Sequence, residues 1–342
     1  MIILRTARVR ASLAALTAIC VVSSSTPARA EPAGRGDCRT FKPRPIGPKT
    51  TGTPRAPQLG SAWQSGRQFE RVLIVVLENQ DYEIVMRDPY FRQLAQRGTL
   101  LTHYNGLFHP SYANYLALIG GKYFGTRSDD QRNLPRSQRT IADLLESKGL
   151  TWRQYAEGYP GGCYTADAAP GPLYRRKHVP FLSFESITKN PSRCASVVPA
   201  SQFDRGHLPN FGFYSPDMCH DGHDLCGSTL GQRKGASAKV RQSAAWLEGF
   251  LEPLLADPAV TRDTLIVVTF DESGNDANNH IYTVLLGDMI QPAAQVDACY
   301  DHYNLLRTIE DNFGLGTLGE EDEKSDPIVA DVWRAAVSTS AR

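Results

Sequence analysis

Two polar pairs each follow an apolar segment that predicts a buried strand. Glu78-Asn79 comes directly after RVLIVVL, and Asp271-Glu272 comes directly after TLIVVTF. The carboxyl ends of parallel strands form the ligand-binding edge of an open sheet, so we expect both pairs to line one crevice. Oxygen ligands that converge there suit a divalent cation, which also offsets the repulsion between carboxylates. For either pair alone, the alternative is an ordinary turn or helix cap.

Ser111 stands at the start of the apolar helical segment YANYLALI. A hydroxyl in that position lies beside unpaired N–H groups and the positive end of the helix dipole, which favour a phosphoryl group. If a metal held by Glu78 and Asp271 also contacts the hydroxyl, Ser111 becomes a competent nucleophile. Asn114, one turn later, could donate to a phosphate oxygen. The alternatives are a plain N-cap for Ser111 and a solvated helix residue for Asn114.

The polar loop SPDMCHDGHDLC concentrates imidazoles and carboxylates. Within it, the spacing of His220, Asp221 and His223 allows a second metal site, or a group of imidazoles that binds phosphate and moves protons. A disulfide between Cys219 and Cys226 would hold these groups in place, whereas without that bond the segment predicts a solvated polar turn. His302, which begins the helical segment HYNLL, is a further imidazole candidate. Its alternative is a capping or core histidine.

The overall charge of the chain is nearly balanced. Lys and Arg number 37 against 36 Asp and Glu, so there is no global positive field to hold a nucleic acid backbone. An anionic ligand must therefore be held by local charge. Lys177 and His178 in YRRKHVPF supply such charge, although a basic run at the surface is the usual alternative. Hydrophobic residues at 41% and charged residues at 21% indicate a folded globular protein.

The first thirty residues have the pattern of a secretory signal peptide. Three arginines precede the apolar run ASLAALTAICVV, and Ala28-Arg29-Ala30 supplies small residues around a cleavage point. The run is too short to span a membrane. The Pro- and Gly-rich segment 31–66 then predicts an extended lead-in, followed by one domain over 67–342. We therefore expect a secreted or periplasmic protein that is cleaved near Ala30.

Cysteine usage agrees with export. Six cysteines remain after the signal peptide, an even number that suits an oxidising compartment. Six cysteines allow fifteen pairings, and proximity in sequence favours one of them. We expect the pairs Cys219–Cys226, Cys163–Cys194 and, by elimination, Cys38–Cys299. A zinc site is the alternative, but the chain contains no C-x-x-C pair.

Strand and helix patterns alternate along the chain. Besides the two strands named above, segments 212–216 and 281–286 predict strands. Amphipathic patterns predict helices in PYFRQLAQR, YANYLALI, TIADLLESK, SAAWLEGFLEPLL and HYNLLRTIEDNF. This alternation predicts an α/β fold, a three-layer α/β/α sandwich around a mainly parallel sheet. The G-x-G-x-x-G match at 314–319 follows a helix rather than a strand, so it predicts a helix end and loop instead of a dinucleotide site.

Six motifs, in order, resemble those of the phosphoesterase family of secreted acid phosphatases, phosphatidylinositol-3-phosphatases and phospholipases C. They are VLIVVLENQDY, HPSYANYLALIGG, YRRKHVPF, DGHD, VVTFDE and DHYNLLRTIED. The resemblance covers about residues 70–315 and implies an alkaline-phosphatase-like fold for one catalytic domain over 67–342. It also implies a secreted, metal-dependent phosphomonoesterase that acts through a phosphoserine. The implied substrate is a small phosphate monoester or an exposed lipid headgroup phosphate.

The resemblance implies a role for each matching position. One divalent metal, whose identity the sequence does not indicate, would be held by Glu78, Asn79, Ser111, Asp271 and Glu272. The remaining positions implied to act on the phosphoryl group are His109, Asn114, Lys177, His178, Asp221, His223 and His302. Among them, we expect His223 or His302 to protonate the leaving group.

Two rival functions differ from this prediction. The phospholipase branch of the family typically has ENRSFDH where this chain has ENQDY, which disfavours a phospholipase C or another phosphodiesterase at the same centre. A secreted anion-binding protein without turnover would not need the nucleophile. No segment predicts a stable membrane span or an interfacial amphipathic helix. The sequence does not indicate an oligomeric state.

Overall fold

The computed structural model describes residues 67–167, 171, 173–227, 235–328 and 331–334. Within these residues, nine strands form one sheet. The strands are β1 (Arg71–Leu77), β2 (Thr99–Asn105), β3 (Trp152–Ala156), β4 (Val197–Pro199), β5 (Phe211–Ser215), β6 (Thr264–Phe270), β7 (His280–Ile281), β8 (Thr283–Leu286) and β9 (Ala294–Asp301). Their order is β4-β3-β5-β1-β6-β8-β2-β7, and β9 pairs with β2.

The sheet is mainly parallel, as the sequence predicts. The run β4-β3-β5-β1-β6 is parallel throughout, and so is the pair β2–β9. Strand β8 is antiparallel to both β6 and β2, and β7 is antiparallel to β2. The predicted strand 281–286 is divided at Tyr282, whose hydroxyl donates to the carbonyl oxygen of Phe91 at 2.8 Å. The sequence analysis missed β2, β3 and β9, in which polar side chains interrupt the apolar pattern, and β4, which has only three residues.

The helices are α1 (Tyr82–Val85), α2 (Pro89–Arg97), α3 (Tyr112–Gly120), α4 (Ile141–Ser147), α5 (Glu185–Thr188), α6 (Pro191–Cys194), α7 (Ala236–Leu255), α8 (Pro258–Thr261), α9 (His302–Phe313) and α10 (Glu321–Lys324). The predicted bounds of α2 and α9 are confirmed. Helix α4 begins one residue late because Thr140 is its N-cap, within a capping box. Helix α7 begins earlier than predicted, since Ala238 and Val240 already pack in the core.

The central strands are buried on both faces. Every residue of β6 is buried, and so is all of β1 after Arg71. A strand without an exposed face requires cover on both sides of the sheet. The helices supply it in two groups, one containing α3, α4, α9 and α10 and the other containing α1, α2, α7 and α8. The predicted three-layer α/β/α sandwich is therefore confirmed.

Neighbouring strand ends bring the two polar pairs together. Strands β1 and β6 pair in parallel as far as Leu77 and Phe270. The next residues, Glu78 and Asp271, consequently leave the sheet side by side. The Asp271 N–H donates to the Leu77 carbonyl oxygen at 2.9 Å, and the Glu78 N–H donates to the Asp221 carbonyl oxygen at 2.8 Å.

Two of the three predicted disulfides are present, Cys163–Cys194 and Cys219–Cys226. The predicted Cys38–Cys299 pair, the signal peptide and the lead-in 31–66 involve positions outside the described residues. Among the helices of the described part of the chain, none has the length and apolar character needed to cross a membrane.

Candidate active site

The two polar pairs that follow β1 and β6 are joined by hydrogen bonds. Asn79 has a left-handed backbone (φ 46°), a conformation that Asn tolerates better than most residues. Its N–H donates to Asp271 Oδ1 at 3.1 Å and its Nδ2 donates to Glu272 Oε1 at 2.6 Å. Gly106 approaches closely from β2, since a Cβ there would lie 2.8 Å from the Asp271 carbonyl oxygen. The crevice expected at the strand ends is thus a tight polar cluster.

Ser111 occupies the N-cap position of α3, but its hydroxyl does not cap the helix. Instead Oγ lies 3.0 Å from Glu78 Oε2, 3.0 Å from Glu272 Oε1 and 3.3 Å from Asn79 Oδ1. The residue is almost fully buried. A hydroxyl carries one proton and can satisfy only one of these acceptors at a time. The plain N-cap interpretation is therefore wrong for this side chain.

The donor atoms around Ser111 fit a divalent cation. Glu78, Asp271 and Glu272 are all buried, and Asp271 Oδ2 has no hydrogen-bond partner among the described residues. Burial raises the pKa of Glu78 and Asp271, and neighbouring carboxylates raise the pKa of Asp271 further. Carboxylate, amide and hydroxyl oxygens are the ligands that hard divalent cations prefer. A cation among them would relieve both the repulsion and the missing hydrogen bond.

His178 lies between Glu78 and Asp221. Its Nε2 is 3.2 Å from Glu78 Oε1 and its Nδ1 is 3.7 Å from Asp221 Oδ2. The ring stacks on Tyr115, with 5.0 Å between ring centroids. Burial lowers the pKa of His178 well below its usual value, which disfavours the local positive charge expected there. The alternative of a basic run at the surface does not hold for Arg176, which is buried, or for Lys177, whose side chain is 12% exposed.

The loop that carries Asp221 is anchored at both ends. Gln242 of α7 accepts a hydrogen bond from the Cys226 N–H at 3.0 Å and donates to the Asp224 carbonyl oxygen at 3.0 Å. Gln80, directly after the Glu78-Asn79 pair, donates to the Gly222 carbonyl oxygen at 2.8 Å. With the disulfide, these bonds hold the loop against the end of β1.

The histidines of this loop point to different partners. The main-chain N–H of His223 donates to Asp221 Oδ1 at 2.7 Å, whereas its imidazole Nδ1 lies 2.8 Å from Asp224 Oδ1. His220 Nδ1 instead lies 2.6 Å from Glu157 Oε2, in a group with Asp217 whose ligand atoms all lie within 4.8 Å of one another. The hypothesis of a second metal site required His220 to lie with Asp221 and His223. In the structure His220 instead contacts Glu157.

Two residues predicted to contact the phosphoryl group form hydrogen bonds with other parts of the protein instead. Asn114 is fully buried; its Oδ1 accepts from the Leu107 and Phe108 N–H groups at 2.9 and 3.0 Å, and its Nδ2 donates to the Phe108 carbonyl oxygen at 2.8 Å. His302 is also fully buried. Its Nε2 is 2.7 Å from the Asp271 carbonyl oxygen and its Nδ1 is 3.2 Å from the Tyr104 hydroxyl. Both side chains support the site instead of facing a substrate.

The remaining predicted residues lie around the polar cluster. His109 Nδ1 is 2.5 Å from Glu272 Oε2, half of its side chain is exposed, and the bond to Glu272 raises its pKa. Lys177 Nζ is 2.6 Å from Asp129 Oδ2. Burial alone would lower the pKa of Lys177, but the Glu78 and Asp129 carboxylates raise it. Lys177, rather than His178, therefore supplies the positive charge of this segment.

The sequence analysis missed Asp129 and Tyr115. Asp129 lies in the polar stretch TRSDDQRN, where the sequence indicates nothing more than a turn. Tyr115 lies in the apolar face of α3, where an aromatic residue usually indicates core packing, yet its ring supports His178. Neither position carried a signal, because each acts through a partner distant in sequence.

Comparisons with known proteins identify the family of this chain. The model of the phosphoesterase family matches residues 86–316. A probable acid phosphatase of Kluyveromyces lactis is 33% identical over 75% of this chain, which spans about three fifths (61%) of that relative. A phosphatidylinositol-3-phosphatase of Mycobacterium tuberculosis is 31% identical over 81% of this chain and 87% of its own length.

A solved structure shares the fold. It belongs to a protein of the alkaline phosphatase superfamily from Vibrio parahaemolyticus and is 14% identical, with a TM-score of 0.54 over 76% of this chain and 71% of that one. At this identity the likeness concerns the fold alone. The predicted alkaline-phosphatase-like architecture is thus confirmed.

Proposed function

The chain belongs to the phosphoesterase family, and on that premise we propose that it is an exported, metal-dependent phosphomonoesterase with Ser111 as its nucleophile. One observation carries the proposal: the Ser111 hydroxyl does not cap its own helix and lies within 3.3 Å of three oxygens from Glu78, Asn79 and Glu272. A structural serine at a helix start would cap the helix. This hydroxyl instead lies among the oxygens that would hold a cation, and a cation there would favour its ionisation.

A divalent cation would be held by Glu78, Asn79, Asp271 and Glu272, together with Ser111. When bound, it supplies positive charge that stabilises the ionised hydroxyl and the transferring phosphoryl group. The fold holds these oxygens close together and keeps them away from water. His302 contributes by bonding the Asp271 carbonyl oxygen, and Asn114 by holding the backbone just before His109.

Ser111 Oγ attacks phosphorus, and its proton moves to Glu78 or Glu272, each 3.0 Å away. The bond from phosphorus to the leaving oxygen breaks as the bond to Ser111 forms. The leaving oxygen then takes a proton, for which we assign His223. A water molecule subsequently attacks the phosphoserine and gives one proton to His223, the bond from phosphorus to Ser111 Oγ breaks, phosphate is released, and Ser111 takes its proton back from the glutamate.

The geometry favours His223 over His109 as the proton donor. His109 is bonded to Glu272, whose other carboxylate oxygen is bonded to Ser111, so His109 lies on the nucleophile's side. In-line displacement places the leaving oxygen opposite the nucleophile. The His223 imidazole is partly exposed and its Nδ1 contacts Asp224 instead of a residue bonded to Ser111, which supports its assignment to the leaving group. His302 has no ring nitrogen left for the role, because both are hydrogen bonded.

The proposed substrate is a small phosphate monoester or an exposed lipid headgroup phosphate. The relatives named acid phosphatase support the first, and the relative named phosphatidylinositol-3-phosphatase supports the second. Export is supported by the pattern of the first thirty residues and by two disulfides, which persist in oxidising compartments.

The decisive experiment replaces the nucleophile. Ser111→Ala should lower the turnover of p-nitrophenyl phosphate by a factor on the order of a thousand or more, with thermal unfolding unchanged. Acid quenching during turnover should trap a phosphoserine at position 111 in the wild type, visible by peptide mass spectrometry. Ser192→Ala is the matched control, since Ser192 is exposed. Full activity of the Ser111→Ala variant would refute the proposal.

A further inference from the structure

We propose that Asp129 is a positioning residue that fixes the Lys177 ammonium relative to the Ser111 hydroxyl. The inference rests on the proposed function, because it takes Ser111 as the nucleophile. Asp129 Oδ2 lies 2.6 Å from Lys177 Nζ, while Asp129 Oδ1 accepts a hydrogen bond from the Tyr112 N–H at 3.2 Å. Tyr112 is the first residue of α3 and directly follows Ser111. One carboxylate therefore joins the cation of the site to the helix that carries the nucleophile.

Asp129 does for α3 what an N-cap side chain ordinarily does. The first N–H groups of a helix have no partner within the helix and need an outside acceptor. Ser111 holds the N-cap position but turns its hydroxyl to Glu78 and Glu272. Asp129, 17 residues after Tyr112, accepts the N–H of that first helical residue and so satisfies one of these groups from outside the helix. The Ser111 hydroxyl is thereby left to the chemistry of the site.

Lys177 needs such a partner because its ammonium lies at the end of a flexible four-carbon stem. The side chain is only 12% exposed, and its charge is felt at Glu78, where it opposes the rise in the pKa caused by burial. An ammonium has three N–H donors. With one donated to Asp129, the others can contact oxygens of a phosphoryl group, so Asp129 can hold the lysine without blocking it.

The segment that carries Asp129 is fastened to the segment that carries Lys177. The Arg176 guanidinium, which is buried, bonds Gln131 Oε1 at 2.5 Å and Asn133 Oδ1 at 2.7 Å on the Asp129 side. The same group bonds the Leu182 carbonyl oxygen at 2.7 Å on the Lys177 side. These bonds disfavour a movable carboxylate that withdraws when substrate enters. They favour a fixed support.

The aromatic ring next to the nucleophile adds a second link. The Tyr112 hydroxyl lies 2.6 Å from Ser183 Oγ and accepts from the Arg132 N–H at 3.3 Å. Helix α3, the Asp129 segment and the Lys177 segment are thus bonded to one another. Loss of Asp129 should therefore free the lysine while the surrounding segments stay in place.

The test is a double-mutant cycle with Asp129→Ala, Lys177→Ala and both together. We measure kcat/KM for p-nitrophenyl phosphate and the inhibition constant of inorganic phosphate. Asp129→Ala alone should lower kcat/KM and weaken phosphate inhibition by about tenfold or more, the cost of a misplaced group. In the Lys177→Ala background, Asp129→Ala should change either value less than about twofold, because it acts through the lysine. Asp130→Ala, which removes the same charge from the exposed neighbour, should leave both values unchanged.

Three outcomes would overturn the inference. Additive losses in the cycle would show that Asp129 supports only the helix. Tighter phosphate binding in Asp129→Ala would show that Asp129 competes with the substrate. Equal effects of Asp129→Ala and Asp130→Ala would show that the losses come from the change in overall charge. If Asp129→Ala does not fold, the isosteric Asp129→Asn replaces it in the same cycle. Phosphate inhibition reports on Lys177 whichever residue is the nucleophile. Failure of the Ser111 assignment is detected separately, by the Ser111→Ala variant.

Discussion

His302 Nε2 lies 2.7 Å from the carbonyl oxygen of Asp271, so the start of α9 supports the strand end that carries a candidate metal ligand. A ring nitrogen that faces a carbonyl oxygen must carry the proton, and the other nitrogen then accepts from the Tyr104 hydroxyl. Burial lowers the pKa of His302 to about 4, so the ring is neutral at physiological pH. Its function is to orient Asp271.

His302→Ala should therefore destabilise the fold and loosen the metal centre. A buried carbonyl oxygen left without its donor costs about 1–3 kcal/mol of unfolding free energy, measurable by urea denaturation. The dependence of rate on the leaving group should match that of the wild type, because His302 does not protonate it. A variant of wild-type stability that is impaired only with poor leaving groups would return His302 to the role of general acid.

His223→Ala should affect poor leaving groups selectively. Without the proposed donor, turnover of an alkyl phosphate should fall about a hundredfold or more, while p-nitrophenyl phosphate, whose leaving group needs no proton, should be hydrolysed almost normally. His207→Ala is the control, since the His207 side chain is 87% exposed. Equal losses on both substrates would exclude His223 as the proton donor.

Metal removal should abolish activity and change stability. Purified protein treated with a chelator should lose turnover, and addition of one divalent cation should restore it and raise the unfolding temperature, because binding to the native state stabilises it. Asp271→Asn should weaken both responses in step with its metal content, measured by elemental analysis. Full turnover by protein shown to be free of metal would contradict the proposed chemistry.

Glu310 should make the fold less stable as pH rises. Burial, reinforced by Asp322, raises the pKa of this carboxyl to about 10 from an ordinary 4.5. Between those values the folded state keeps a proton that the unfolded state has released, so the free energy of unfolding falls with increasing pH. Glu310→Gln removes the ionisation. Its unfolding temperature should exceed that of the wild type by a margin that grows from pH 5 to pH 9.

Exposed Glu248 offers the matched control for that experiment. Glu248→Gln should show the pH dependence of the wild type, because the substitution removes an exposed carboxylate and leaves the buried Glu310 in place. Identical pH profiles for Glu310→Gln and the wild type would show that Glu310 is ionised in the folded protein at neutral pH.

Monoesters should be preferred to diesters. A monoester dianion offers three terminal oxygens to the cation, Lys177 and the imidazoles, whereas a diester directs one of these contacts at a carbon substituent and carries one charge less. The measurement compares kcat/KM for p-nitrophenyl phosphate, bis-p-nitrophenyl phosphate and phosphatidylcholine, with Ser111→Ala as the background. A preference of about tenfold or more for a diester would assign the centre to a phospholipase C or another phosphodiesterase.

The sequence by itself predicted the fold class and brought the two polar pairs to one edge of the sheet, although it missed four of the nine described strands. Continuous apolar runs identified β1 and β6, because a strand buried on both faces needs no alternation. The residues that follow such strands reach the same edge of the sheet, which is why the sequence alone predicts that Glu78 and Asp271 lie together. Proximity in sequence likewise predicted the disulfides Cys163–Cys194 and Cys219–Cys226.

Only the tertiary structure decided what each polar side chain does. Sequence placed Ser111 at a helix start, but the carboxylates that turn its hydroxyl away from the helix come from β1 and β6. Burial made His178 and His302 neutral supports, and a loop with no signal of its own brought Asp129 to Lys177. Residue type sets which bonds and charges are available to a side chain. Partners distant in the chain, and the water they exclude, select among them.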